Sequence, residues 1–265
     1  MSKSIPETDS SPRILSKTLS GTPGGRADGP AAGTLPENPG ENPGENLRRS
    51  PQENPQKKPG QSLQGKTRTG VILASASKAR QQLLENAGVP LAGLLPAFID
   101  EEAVKDSLRH EGASALQVAE TLAELKARKV SLSHPGCFVI GADQMLDCNG
   151  IWFDKPVDRD HAAAHLQALA GKTHQLQCSV CVVKDGERLW HHNETAALTM
   201  RDLDPDFIAR YLDAAGDEVL ASVGAYQLEG LGAQLFHKVQ GDYFTILGLP
   251  LLPLLTFLRH NEVLA

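Results

Sequence analysis

The chain has 265 residues and carries 26 Lys and Arg against 32 Asp and Glu, a formal net charge of −6. No stretch of about 20 apolar residues occurs, and the first residues lack the apolar core of a secretory signal, so we expect neither a membrane span nor secretion. Four cysteines in a chain of this length do not make a disulfide scaffold. We therefore expect a reduced, cytoplasmic protein.

The composition divides the chain into two parts. Residues 1–68 contain 10 of the 17 prolines, 9 of the 24 glycines and none of the aromatic residues. Such a segment buries too little apolar surface to offset the entropy of ordering, so we predict a disordered tail. Its degenerate Glu-Asn-Pro-Gly repeat builds no amphipathic face, and both a docking role and no role stay open. We predict a folded domain over residues 69–265.

Charge follows the same division. Residues 1–68 carry 10 Lys and Arg and 7 Asp and Glu, a net charge of +3, which leaves −9 for the remaining 197 residues. Binding to duplex DNA begins with basic side chains that neutralise phosphates. We therefore expect no duplex DNA partner for this acidic domain.

Apolar strands alternate with helical segments from residue 70 onward. In chain order the pattern predicts a strand over 71–74, a helix over 78–87 capped by Ser77, a helix over 114–132, a strand from 137 that ends at Asp143, a helix over 158–170 capped by Asp158, strands over 174–183 and 188–200, a helix over 206–215, a strand near 234–239 and a helix from about 250. This alternation is typical of an α/β fold with a partly parallel sheet flanked by helices.

The first strand–helix junction carries groups that bind anions. Ser75 and Ser77 supply hydroxyls, the helix N-terminus supplies free N–H groups, and Arg80 follows one turn into the helix. An arginine there is able to hold a phosphate through two hydrogen bonds. The alternative is that Ser77 only caps the helix and Arg80 is solvated.

Carboxylates occur at two further places. Asp143 follows a buried strand, and open α/β sheets bind ligands at the carboxyl ends of their strands. The alternative is that Asp143 only terminates the strand. The run Asp100-Glu101-Glu102 is expected in a loop.

Isolated cations accompany these carboxylates. Lys126 interrupts an apolar helical stretch, although a solvated end on a buried stem is the common explanation, and Lys155 precedes a proline. Glu229 is a candidate polar contact within a glycine-rich segment that otherwise indicates tight turns. Cations hold polyphosphates, and carboxylates hold a divalent metal and activate water.

The ordered set of these motifs resembles the Maf-like nucleoside triphosphate pyrophosphatases over about residues 70–258. The family pattern Leu-Ala-Ser-x-Ser-Pro-Arg-Arg corresponds to Leu73–Arg80, with Lys78 and Ala79 in place of the proline and the first arginine. The other matches, in order, are Asp100-Glu101, Leu122 to Val130, Gly141-Ala-Asp143, Lys155-Pro156, the approximate Ala170-Gly-Lys-Thr-His174 and Gly248-Leu-Pro-Leu251.

The resemblance implies a fold and an activity. It implies a mixed sheet flanked by helices, and hydrolysis of a nucleoside triphosphate to monophosphate and pyrophosphate with Mg²⁺ or Mn²⁺. Many family members are homodimers, so we expect one here. By the resemblance, Asp143 is the catalytic carboxylate and shares the metal with Glu101. The residues that hold the triphosphate are Ser75, Ser77, Arg80, Lys126 and Lys155.

Departures from the pattern bear on the substrate. Gln144 and Glu229 are similar to the 7-methyl-GTP branch of the family, and a carboxylate suits a positively charged base. Members of the dTTP/UTP type usually have threonine after the motif aspartate, and that substrate type stays an alternative. A third possibility is a regulator of cell division that binds nucleotide without cutting it, since Ala79 replaces a family arginine.

Overall fold

The computed structural model describes residues 70–265, which form a mixed β-sheet with helices on both faces. Its strands are β1 (Val71–Leu73), β2 (Leu91–Leu94), β3 (Phe138–Cys148), β4 (Ile151–Phe153), β5 (Thr173–Lys184), β6 (Glu187–Met200) and β7 (Phe236–Gln240). Its α-helices are α1 (Lys78–Asn86), α2 (Glu101–His110), α3 (Ala115–Ser131), α4 (Arg159–Leu169), α5 (Pro205–Ala215), α6 (Tyr243–Ile246) and α7 (Leu251–His260). The predicted disordered tail, residues 1–68, lies outside the described residues.

The strand order is β2-β1-β3-β5-β6-β7, and β4 pairs with β3 beside this path. β1 runs parallel to β2 and to β3, and every other pair in the described sheet is antiparallel. The mixed α/β fold is therefore confirmed, with the parallel part confined to one end of the sheet.

One edge of β3 is left uncovered at its middle. β1 pairs with β3 over Phe138–Ile140, and β4 pairs with it from Leu146 to Cys148. β5 pairs along the opposite edge from Val139 to Asp147. Within the described part of the chain, residues 141–145 thus have a strand neighbour on one side only, and this gap lies where β1 ends.

Helices cover both faces of the sheet. α3 packs on one face through small residues such as Ala123 and Ala127, against Val139 and Cys181. On the other face, α1 and α7 cover the end near β1, while α4 and α5 cover the far end with Leu146, Leu176 and Leu198. None of the helices within residues 70–265 has both the length and the apolarity needed to cross a bilayer.

Side-chain caps begin the helices where the sequence predicts them. Ser77 accepts a hydrogen bond from the backbone of Arg80, and Asp158 accepts one from His161. Pro205 occupies the first turn of α5, where its missing N–H has no helical partner to lose. The predicted starts of α1, α4 and α5 are thus confirmed.

Two predictions about the elements near the cleft are wrong. β3 does not end at Asp143 but continues to Cys148, because β5 pairs with it along this length and β4 covers its end. Glu101 and Glu102 are not in a loop, since they begin α2 after Asp100 caps it through the backbone of Ala103.

The last predicted strand is shifted. It begins at Phe236, and residues 231–235 form a 3₁₀ segment before it. The sequence also misses β2, β4 and α6. Each has only three or four residues, which is too short for a periodicity to be visible.

Candidate active site

A cleft of about 1010 Å³ opens beside the uncovered edge of β3. All nine residues that the sequence singles out lie on its wall, although they come from separate elements. The nine are Ser75, Ser77, Arg80, Glu101, Lys126, Asp143, Gln144, Lys155 and Glu229. The structure thus brings them together, while the roles assigned to them stay predictions.

Lys126 lies between two carboxylates in this cleft. Its Nζ donates to Asp143 Oδ1 at 2.6 Å and lies 2.9 Å from Glu101 Oε1. The side chains of Lys126 and Asp143 are only 10% and 9% exposed, whereas that of Glu101 is 43% exposed. The buried charges stabilise each other, and removal of one would leave the other without compensation.

α3 approaches β3 closely because Gly141 has no side chain. A Cβ on Gly141 would lie 2.1 Å from the carbonyl oxygen of Ala123 and 2.8 Å from Ala127 Cβ. Side chains alternate along a strand, so Asp143 points to the same face as Gly141, toward α3. The Gly-Ala-Asp motif therefore has two functions. Gly141 allows the close contact with α3, and Asp143 supplies the carboxylate that binds Lys126 of that helix.

Arg80 occupies the gap in the sheet. Its Nη1 donates to the Ala142 carbonyl at 2.9 Å and to Ser75 Oγ at 3.3 Å, and its Nε donates to the Gly248 carbonyl at 2.7 Å. The Ala142 carbonyl belongs to the stretch of β3 without a strand partner on this side, so Arg80 satisfies a backbone acceptor that no strand pairs. Arg80 is therefore not merely solvated: it joins α1, β3 and the turn before α7.

The two serines are partly used by the fold. Ser77 Oγ accepts from the backbone of Arg80 at 3.4 Å, and Ser75 Oγ accepts from the backbone of Ser77 at 3.2 Å. The capping role of Ser77 is thus present. A hydroxyl that accepts a bond keeps its own proton, so both serines are able to donate to an anion in the cleft.

Lys155 and Lys105 add positive charge to the same wall. Burial of the Lys155 ammonium and the neighbouring charge of Arg80 lower its pKa, while Glu101 and Asp143 act in the opposite direction. Lys105 forms a salt bridge with Asp154, the residue before Lys155. Lys105 was not predicted because this segment was expected to be a loop, whereas on α2 Lys105 follows Glu101 by one turn.

Gln144 and Glu229 differ in how they are held. Gln144 points to the opposite face from Asp143, and its Nε2 donates to the carbonyls of Thr245 at 2.9 Å and Ile246 at 3.3 Å. Gln144 therefore ties the middle of β3 to α6. Glu229 is exposed on a turn between 3₁₀ segments, with its side chain on the cleft wall.

A buried aromatic pair supports the other side of the cleft. Tyr226 lines the cleft, and its hydroxyl lies 2.7 Å from His174 Nε2. Burial raises the pKa of Tyr226 and lowers the pKa of His174 to about 4. In the sequence, His174 is visible only as part of a motif, and Tyr226 only as part of a glycine-rich segment that departs from the family pattern.

Comparisons with known proteins agree with the motif pattern. The sequence model of the family described as Maf-like protein matches residues 70–261. A nucleoside triphosphate pyrophosphatase of Paramagnetospirillum magneticum is 58% identical over 190 residues, which cover 72% of this chain and 97% of that protein. A similar protein from Granulibacter bethesdensis, with the same name, is 53% identical over 194 residues, 73% of this chain and 98% of that protein.

A further relative carries a narrower name. The 7-methyl-GTP pyrophosphatase of Brucella abortus is 51% identical over 192 residues, 72% of this chain and 96% of that protein. The family match spans the whole described sheet and cleft, and the relatives are covered almost from end to end. The chain belongs to the Maf-like protein family.

Proposed function

We propose that the protein hydrolyses a nucleoside triphosphate to the monophosphate and pyrophosphate. The observation that carries this proposal is the charge cluster of Asp143, Lys126 and Glu101, which faces the cations of the same cleft. A triphosphate needs cations to bind it, and attack on its α-phosphorus needs an acceptor for the proton of water. The names of the relatives point to the same activity: the chain is a nucleoside triphosphate pyrophosphatase of the Maf-like family.

Asp143 is the proposed general base. Lys126 binds Oδ1, and within residues 70–265 Oδ2 makes no hydrogen bond, so Oδ2 is the atom that accepts the proton. The neighbouring Lys126 also offsets negative charge that develops on the phosphoryl oxygens. Because Gly141 lets α3 pack closely on β3, Lys126 of that helix holds the base in one orientation in the cleft.

The triphosphate lies along the cations in this proposal. Lys155 and Lys105 face it from the β4 and α2 side, while Ser75 and Ser77 donate hydroxyl protons beside the start of α1. Arg80 donates two of its N–H groups to backbone carbonyls, and its Nη2 makes no hydrogen bond to the rest of the described chain. Arg80 therefore contributes its positive charge to triphosphate binding, and its Nη2 is free to donate to a phosphate oxygen.

A divalent metal fits this set of donors. No group of three or more His, Cys, Asp or Glu within the described residues is arranged as a metal cage. Mg²⁺ usually binds one or two carboxylates and completes its shell with water and substrate phosphates, and Glu101 and Asp143 provide the two. When bound, Mg²⁺ or Mn²⁺ would polarise a phosphoryl oxygen.

We propose a purine nucleotide with a positively charged base, of the 7-methyl-GTP type, as the preferred substrate. The exposed carboxylate of Glu229 supports this choice because it attracts a cationic ring and accepts hydrogen bonds from ring N–H groups. Hydrolysis of dTTP and UTP is the alternative. We also propose that the protein assembles as a homodimer and is located in the cytoplasm.

The test is pyrophosphate release by the purified protein with Mg²⁺ or Mn²⁺. GTP, 7-methyl-GTP, dTTP and UTP are compared, with Asp143→Asn as the matched variant. We expect 7-methyl-GTP to have the highest kcat/KM and the variant to lose about 10³-fold, within the usual range for a general base.

Nucleotide binding, measured by calorimetry, separates the alternatives. Binding retained in Asp143→Asn with activity lost supports the catalytic assignment. Wild-type protein that binds nucleotide but releases no pyrophosphate would instead identify a non-catalytic binding protein.

A further inference from the structure

A second cavity, of about 500 Å³, adjoins the cleft. We call it the annex. It lies between α1 and the pair α6–α7, and it shares with the cleft the four residues Ala79, Gln82, Glu229 and Leu247. The two spaces are therefore continuous at this point, and a molecule in the cleft is able to extend into the annex.

The annex has apolar walls. Leu83 of α1 faces Leu251 and Leu255 of α7, and the rings of Tyr243 and Phe244 pack edge to face with centroids 5.8 Å apart. The polar side chains Gln82 and Asn86 on this wall hydrogen-bond to each other at 2.8 Å. Gln82 Nε2 and Asn86 Oδ1 are thus paired without a ligand, and because most of the other wall residues are apolar, the space favours an apolar group.

The annex opens toward the cleft at Ala79. The related motif has arginine at this position, and alanine supplies a single methyl group there. Gln82, Glu229 and Leu247 form the rest of the shared rim. A long side chain at position 79 would reach into this passage, so its absence leaves the way from cleft to annex open.

The rim also has a charge. Glu229 is exposed on both spaces and contributes a carboxylate beside an apolar chamber. A cationic ring that bears an apolar substituent matches this pair of features, since its charge faces Glu229 and its substituent is removed from water.

We propose that the annex binds an apolar substituent carried by the base of the nucleotide. The substrate class is then a nucleoside triphosphate whose positively charged purine carries an alkyl or aralkyl group larger than methyl. This proposal rests on the proposed function for the reaction, but it concerns the space beyond the base. Continuity with the cleft favours a substituent of the substrate over a second copy of the chain.

The experiment compares 7-benzyl-GTP with 7-methyl-GTP as substrates for pyrophosphate release. The wild-type protein is expected to have a KM about tenfold lower for 7-benzyl-GTP, because the ring is buried in the annex. Leu252→Trp fills the annex from α7, and it changes a side chain that is 55% exposed and lies outside the cleft wall. We expect this variant to lower the ratio of kcat/KM for benzyl over methyl at least about tenfold.

Two further variants serve as a second test of the annex and as a control. Ala79→Arg narrows the passage from the other side and is expected to lower the same ratio. Leu189→Trp is the matched control, because Leu189 is also exposed and lies on β6 outside both cavities. The control should leave the ratio as in the wild type.

The outcomes separate the two proposals. Hydrolysis of 7-methyl-GTP with rejection of 7-benzyl-GTP overturns the annex assignment and leaves the proposed function intact. An unchanged ratio in Leu252→Trp with a changed sedimentation coefficient overturns it in favour of a contact between copies. If no triphosphate is hydrolysed, calorimetry with 7-benzyl-GMP and 7-methyl-GMP decides, and equal affinities overturn the annex.

Discussion

The ammonium group of Lys126 forms ion pairs with two carboxylates, those of buried Asp143 and of the more exposed Glu101. We expect Lys126→Gln to lower the free energy of unfolding by about 3 kcal/mol, because buried Asp143 then keeps its charge without a partner. We also expect kcat/KM to fall by about 10²-fold or more, since a cation beside the reacting phosphate is lost. Urea unfolding and pyrophosphate release measure the two effects.

Glu101→Gln is the control for Lys126→Gln. The Glu101 side chain is 43% exposed, so its ion pair with Lys126 contributes less than about 1 kcal/mol. If Glu101 holds the metal, the variant requires about tenfold more Mg²⁺ or Mn²⁺ for half-maximal activity. An unchanged metal requirement with wild-type activity would contradict this role.

His174 makes stability depend on pH. Its pKa falls from 6.5 to about 4 on burial, so the unfolded chain binds more protons than the folded chain between these values. The contribution of neutral His174 to the free energy of unfolding is complete above pH 6.5. It is lost as the pH falls, and about 2 kcal/mol is lost by pH 5. The measurement is urea unfolding at pH 7 and pH 5.

Comparison with His174→Gln isolates the titration of this histidine. Glutamine keeps a hydrogen-bonding group near the Tyr226 hydroxyl but does not titrate. The variant should lose less stability than the wild type over this interval, and equal losses would assign the pH dependence to other groups.

The sequence predicted which single residues would line the cleft, while their roles stay predictions. Asp143 and Lys126 stand out because charges beside apolar segments need an explanation, whereas Glu101 was singled out by the family motif. Lys105 does not stand out, since a lysine in a segment without visible periodicity resembles any solvated lysine. Its place on the cleft wall depends on α2, a helix that was not predicted from the sequence.

At the scale of elements, the contact of α3 with β3 positions the charge cluster. We expect Gly141→Ala to force the two apart, because the new Cβ would lie 2.1 Å from the Ala123 carbonyl oxygen. The free energy of unfolding is expected to fall by about 2 kcal/mol. Activity is expected to fall as well, because Lys126 on α3 moves away from Asp143. Thermal unfolding and pyrophosphate release test both.

Gly93 on β2 provides a matched glycine in the same sheet. A Cβ there would meet no atom nearer than 3.7 Å, apart from its immediate chain neighbours. We expect Gly93→Ala to retain activity and stability. Similar losses in both variants would mean that the effect at Gly141 is not specific to the helix contact.

Length explains most of the difference between the predicted and the missed elements, with α2 and β1 as exceptions. α3 and β5 have 17 and 12 residues, so their apolar periods repeat several times. The true end of β3 depends on pairing with β4 and β5, which are distant in sequence or too short to detect. The sequence placed Asp143 at a strand end, whereas the gap arises because β1 ends there.

At the scale of the whole molecule, the cleft depends on distant parts of the chain. Its wall extends in sequence from Ala74 to Gly248, and Arg80 of α1 reaches the carbonyl of Gly248. Residue types and motif order indicate which side chains belong together. The distances between them follow from sheet order and helix packing, which a single sequence does not contain.

Residues 1–68 contain none of the candidate site residues. All nine candidate site residues lie between Ser75 and Glu229, and the family match begins at residue 70. The Paramagnetospirillum relative aligns over 97% of its length with 190 residues of this chain, so it has room for almost no counterpart of the tail. We expect deletion of residues 1–68 to leave kcat/KM within about twofold, because the shortened chain keeps all nine candidate site residues and the helices and strands that position them.

Steady-state kinetics and thermal unfolding of the full-length and shortened proteins test this expectation. An unchanged melting temperature together with a tenfold loss of kcat/KM would show that the tail acts on the cleft. A lower melting temperature with proportional loss of activity would show that it supports the fold. Equal values in both measurements would assign catalysis to the domain alone, because every group proposed to bind, position or activate the substrate is then present in the shortened chain.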